Sequence, residues 1–162
     1  HCFDKAWYEI IGQTMTTITI NKTIQAPVDL VFSVVSNVRE FSQAVPKSIQ
    51  YEILEETESG VGTRYLETRE MKHGEITMEF EITELIHNDR VRIVTDNHGT
   101  VWDSLFTVKP QGKTTELSLV MEAKAYKLLS RIFNFLFKRL VQNEVEKDLN
   151  AVKNYCEKLA TA

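Results

Sequence analysis

The chain has 162 residues and a mass of 18.7 kDa, enough for one domain with a sizeable core and too little for two. Hydrophobic residues at 43% and charged residues at 26% are those of a globular chain and exclude a disordered or fibrous one. A net charge of -4 supplies no basic field for polyanions, which argues against nucleic acid as a partner.

Residues 1–14 precede Met15 and are read as an N-terminal extension or cloning segment, apolar through Phe3, Trp7, Tyr8, Ile10 and Ile11. Residues 15–162 are read as a single domain. Over 16–25 the pattern TTITINKTIQ alternates, with Ile18, Ile20 and Ile24 on one face of a half-buried strand. Ala26-Pro27 ends it. Proline suits a first helical turn and Asp29 the helix's positive end, so Val31, Phe32, Val34, Val35 and Val38 mark a short helix to about Asn37. A second short helix spans 39–44 and stops before Pro46, since the residue preceding a proline avoids helical geometry.

Six further strands are expected over 48–56, 63–71, 75–87, 90–96, 100–109 and 114–124, separated by turn sequences such as His73-Gly74, Asn88-Asp89 and His98-Gly99. Connections this short make the sheet an antiparallel meander. Residues 126–159 then run about 34 positions without Gly or Pro, far beyond the ~11–12 of a mean helix. Val141, Val145, Leu149, Val152, Cys156 and Leu159 form one stripe that should face the sheet. Leu128, Leu129, Ile132, Phe133, Phe135, Leu136, Phe137 and Leu140 surround the first half, which predicts burial on several sides.

Opposed residues of a hairpin share a face. Counting from His73-Gly74 sets Arg69 opposite Met78, Glu67 opposite Phe80 and Tyr65 opposite Ile82, so Glu67 and Arg69 fall on the apolar face. Counting from Lys109 opposite Thr114 joins Phe106, Ser104 and Trp102 to Leu117, Leu119 and Met121. An unpaired buried charge is costly, so Glu67 and Arg69 need each other, water or a ligand. If both face inward as a coupled pair, Arg69→Met should be tolerated better than Glu67→Ala, because the first fills volume and leaves a carboxyl that can protonate, whereas the second strands an arginine that cannot lose its charge.

Other chemistries find little support. His1, His73, His87 and His98 lack metal-ligand spacing, and Gly60-Val61-Gly62 is a strand connection rather than a phosphate loop. Cys2 and Cys156 make no disulfide framework, and Cys156 on the apolar stripe reads as packing. No cofactor is expected. Ser130, Arg131, Asn134, Lys138 and Arg139 interrupt the most apolar stretch, so integral membrane association is not expected. The cytoplasm is the expected compartment, and a homodimer is left open.

The order of elements, the stretch ITINKTIQAPVDLVFSVVSNVREFSQAVP over 18–46, GVGTRYLETR over 60–69 and the tryptophan of TVWDSLFTVKP over 100–110 resemble the START-like, or SRPBCC, superfamily. That resemblance implies an α+β helix-grip fold: a seven-stranded curved antiparallel sheet wrapped around a long C-terminal helix, with two short helices after strand 1. It also implies a cavity between sheet and helix for a hydrophobic small molecule such as a lipid or polyketide. Ligand-binding candidates are Tyr65, Glu67, Arg69, Met78, Phe80, Thr95, Trp102, Ser104, Phe106, Met121, Asn134, Phe137, Val141 and Val145. Binding, transport or sensing of such a molecule is the first functional expectation. The alternative is a cofactor-free cyclase or dehydratase, a lyase or isomerase with Glu67 as general base and Arg69 or Tyr65 holding an oxyanion. A second alternative is a protein-interaction module that uses the apolar groove.

Overall fold

A computed structural model describes residues 15–45 and 49–162 of the chain. The extension 1–14, with its apolar residues, and segment 46–48, where the second strand was expected to begin, lie outside them. The element order is β1 (Met15–Ile24), α1 (Val28–Ser36), α2 (Val38–Ala44), β2 (Ile49–Glu55), β3 (Arg64–Met71), β4 (Gly74–Ile86), β5 (Arg90–Asn97), β6 (Thr100–Gln111), β7 (Thr114–Ala125) and α3 (Leu128–Ala160). Every strand pairing is antiparallel, in the sheet order β1-β7-β6-β5-β4-β3-β2. The meander is as expected, with β1 closing onto β7. No helix among the described residues is long and apolar enough to cross a membrane.

Alternation along β1 buries Ile18, Ile20 and Ile24 on its inner face. Lys22, on the same face, reaches out to Glu146 of α3 at 2.9 Å. The Ala26 carbonyl, freed where Pro27 ends the strand, accepts the buried Thr115 hydroxyl at 2.8 Å. Register shifts after Ile53 in β2 and after Ile82 in β4 add the local bends that curve a sheet.

Two hairpins pair two residues away from the sequence count. Glu67 stands opposite Met78, Arg69 opposite Ile76 and Tyr65 opposite Phe80, because Met71 pairs with Gly74 and leaves Lys72-His73 at the tip. Likewise Phe106 meets Leu119, Ser104 meets Met121 and Trp102 meets Ala123, with Gly112-Lys113 at the tip. Side chains alternate with period two, so a two-residue displacement changes partners and preserves faces. The β5–β6 turn is His98-Gly99 as expected, both residues at positive φ, which suits the right-handed twist of a two-residue hairpin.

The long helix divides at its middle. Leu149, Val152 and Cys156 are fully buried, Val141 and Val145 are half-buried, and this half packs on β1, β7, α1 and α2. Leu159 departs from the expected stripe: it is exposed, lying in the last turn of α3. The first half departs further. Leu128, Leu129, Ile132, Phe133, Phe135, Leu136, Phe137 and Leu140 are exposed rather than buried. Polar residues hold this half to the sheet instead: the Ser130 hydroxyl donates to the His98 carbonyl at 2.7 Å and Asn134 Nδ2 to Thr100 Oγ1 at 3.3 Å. The Tyr126 amide donates to the Gly99 carbonyl at 2.9 Å. A side chain at position 99 would collide with Lys127, its Cβ lying 2.5 Å from that side chain, so glycine permits the approach as well as the turn.

The two halves should respond differently to truncation. Leu149→Ala should cost about 2–5 kcal/mol, whereas Leu136→Ala should stay within about 0.5 kcal/mol. Urea denaturation of the two variants measures both.

Candidate functional site

Alternation along β3 sends Tyr65, Glu67 and Arg69 to the concave side, where a charge without a partner would be unstable. Glu67 is only 5% exposed. Arg69 Nε donates to Glu67 Oε1 at 2.6 Å, and Arg69 Nη1 donates to Asp148 Oδ2 of α3, also at 2.6 Å. The expected pair is therefore a triad, one guanidinium held between two carboxylates. Burial opposes the charge on Arg69, but Glu67 and Asp148 outweigh it and keep the group protonated. Burial raises the Asp148 carboxyl from its ordinary value, an effect that Arg69 offsets only in part.

Asp148 is the residue that sequence reasoning missed. The signal was spacing: it lies three residues after Val145 and four before Val152, on the flank of the buried stripe rather than opposite it.

A half-buried apolar wall extends from the triad. Met78 and Phe80 on β4, Trp102 and Ser104 on β6 and Met121 on β7 are all half-buried, with Phe106 deeper in the core. Tyr65 stacks on Phe80 with ring centroids 5.6 Å apart. Burial, helped by the Glu67 charge, raises the Tyr65 phenol, so it remains a hydrogen-bond donor at neutral pH. Thr95, paired across strands with Trp102, is buried and its hydroxyl has no hydrogen-bond partner. Most buried hydroxyls are satisfied, so this one marks a place where a polar ligand atom would be stabilised. Val141 and Val145 border the wall from α3, and Asn134 is engaged with Thr100 at the helix's near end. Phe137 stands apart from the set, exposed and stacked on Phe133 at 5.5 Å.

A separate recess of ≈ 220 Å³ opens where the α1–α2 junction meets β2, β3 and β4. Val38, Ile53, Ile82 and Leu85 form its apolar lining, and Tyr65 is the one expected site residue that reaches it. It is smaller than the ~300–1,000 Å³ of most ligand pockets. The triad and most of the expected site residues lie instead on the concave face.

A sheet of this curvature closed by a long terminal helix is the helix-grip architecture. Residues 15–157 match the family described as polyketide cyclase / dehydrase and lipid transport, and the chain belongs to it. The expected START-like fold is thus found. A search of curated proteins finds no match. Among solved structures the chain is similar to the Zhui aromatase/cyclase from Streptomyces sp. R1128, with a TM-score of 0.73 and 19% identity over 89% of this chain and 94% of that one. It is similar to the di-domain ARO/CYC StfQ from the steffimycin biosynthetic pathway, with a TM-score of 0.78 and 11% identity over 98% of this chain and 56% of that one. Norcoclaurine synthase from Thalictrum flavum gives a TM-score of 0.69 and 14% identity over 89% and 94%. At these identities the likenesses establish the fold.

Asp148 reverses the order of tolerance expected from an isolated pair. Glu67→Ala leaves Arg69 paired with Asp148 and should cost about 1–2 kcal/mol. Arg69→Met leaves two buried carboxylates without their cation and should cost about 3 kcal/mol at neutral pH. In that variant the folded-state carboxyl pKa lies above its unfolded value. Stability is then fully present below the ordinary aspartate value of 3.8 and is lost as pH rises through the raised one. Melting temperatures of both variants between acid and neutral pH measure the order and the sign.

Proposed function

We propose that the concave face binds a hydrophobic small molecule with one hydrogen-bonding group, its apolar body lying along Met78, Phe80, Trp102 and Met121. The Thr95 hydroxyl carries this reading: it is buried, lacks a partner and lies beside Trp102 on the same wall. A carbonyl or hydroxyl of the ligand would complete it. The half-buried apolar wall around it supports the same reading, as does a family described by lipid transport and by cyclases.

The buried triad favours a second reading, a cyclase- or dehydratase-type reaction. A proton next to a ligand carbonyl would pass to a carboxylate, Glu67 or its triad partner Asp148, while Tyr65 or Arg69 holds the developing oxyanion. Burial has raised the Asp148 carboxyl in the direction a general base needs at neutral pH.

Binding can be followed through Trp102, using the neutral apolar probe N-phenyl-1-naphthylamine. Ser104→Phe fills the middle of the wall and should weaken the probe by at least about tenfold. A probe that binds wild type and this variant equally excludes the concave face. Thr95→Val keeps shape and removes the orphan hydroxyl, so the free protein should be as stable as wild type or more so, while a ketone or alcohol ligand loses about three- to tenfold in affinity. For the second reading, deuterium exchange from D2O into the activated methylene of an acetoacetyl thioester should fall in Glu67→Gln or Asp148→Asn. No exchange above background in wild type rejects it.

A further inference from the structure

The apolar side of α3 changes direction along the helix. In the C-terminal half Val145, Leu149, Val152 and Cys156 face the core. In the N-terminal half it is Ser130 and Asn134 that turn to the β5–β6 hairpin. At about 100° per residue, Leu136 and Val145 point to opposite sides of the helix, as do Leu140 and Leu149. Leu129, Ile132, Phe133, Leu136 and Leu140 thus form a stripe directed away from the sheet, with Leu129 71% and Leu136 65% exposed. An apolar helix face aimed at water marks an interaction surface.

Charge identifies the partner. Residues 126–143 contain Lys127, Arg131, Lys138 and Arg139 and no acidic residue, in a chain whose total is -4. The remainder of the molecule is therefore acidic. Lys138 and Arg139 share a shallow depression with Phe135, Leu136, Gln142 and Asn143. Lys127 and Arg131 turn back toward the sheet, Arg131 donating to the Ala125 carbonyl, so Lys138 and Arg139 are the cations beside the stripe. Leucine and phenylalanine on one face of a helix with lysine and arginine at its border is the composition of helices that lie in the plane of a membrane interface. A second copy of the chain would bring Lys138 and Arg139 against their own copies. Residues 1–14 bring only Asp4 and Glu9 against them.

We infer that the N-terminal half of α3 docks on an anionic lipid bilayer, its apolar stripe entering the acyl boundary and Lys138 and Arg139 meeting the headgroups. The acidic remainder, repelled by the same surface, orients the molecule with this half of the helix downward. The inference stands whatever occupies the concave face.

Co-sedimentation of the full chain with vesicles is the test. The protein should bind phosphatidylcholine vesicles that contain about 30% phosphatidylglycerol in preference to phosphatidylcholine alone, and more weakly as salt shortens the reach of the surface charge. The double variant Lys138→Gln, Arg139→Gln should lose about 25-fold in partitioning. Phe133→Ser with Leu136→Ser should abolish binding while leaving the melting temperature unchanged, because both side chains are exposed. Absence of binding to the anionic vesicles overturns the inference, and so does equal binding by wild type and the Phe133, Leu136 variant. A concentration-dependent dimer in light scattering that the same variant dissolves also overturns it, assigning the stripe to a second copy.

Discussion

One helix cannot cover seven strands. A helix is about 10 Å across, whereas seven strands about 4.8 Å apart measure roughly 29 Å along the curve of the sheet. The buried half of α3 is committed to the β1 and β7 border, where Leu149, Val152 and Cys156 join Ile18, Ile20, Leu117 and Leu119. The small helices α1 and α2 occupy more of the same concavity. What is left along β3 to β6 is a half-buried apolar wall, and its existence follows from geometry before any ligand is considered.

The Arg69 bridge ties the two sides of that wall together. It starts on β3, one strand in from the sheet's edge, and ends on α3, so it joins the strands least covered by the helix to the helix itself. At the opposite border Lys22 and Glu146 also join strand to helix, but with Glu146 about half exposed, where an ion pair contributes little. The buried bridge carries more consequence, because each of its members depends on the others to remain desolvated. A site made this way has a fixed spacing between strand and helix and a carboxyl whose protonation responds to what is placed beside it.

Much of this was legible in the sequence, and the reason is periodicity. The count from His73-Gly74 chose the wrong partners for Glu67 and Arg69, yet any displacement by an even number of residues returns the same face. Asp148 was not recovered, because a single carboxylate at the edge of a helical stripe reads as solvent-facing until the cation that draws it inward is known. The first half of α3 misled for a related reason. Its apolar residues suggested a buried segment, but the side turned to the sheet is fixed by Ser130 and Asn134 binding the His98-Gly99 hairpin, a contact between residues some thirty positions apart. Periodicity locates a stripe; it does not say what the stripe faces.

Cys156 gives the buried half of α3 a chemical clock. Its thiol is fully buried and burial pushes its pKa up to about 11, so in the closed molecule it is both inaccessible and un-ionised. It can react only in those moments when the end of the helix lifts from β1. With a reagent that traps faster than the helix recloses, the rate at which this thiol is lost counts helix departures, and comparing that rate with and without an occupant on the concave wall would separate a molecule that opens to load from one that loads through a standing gap.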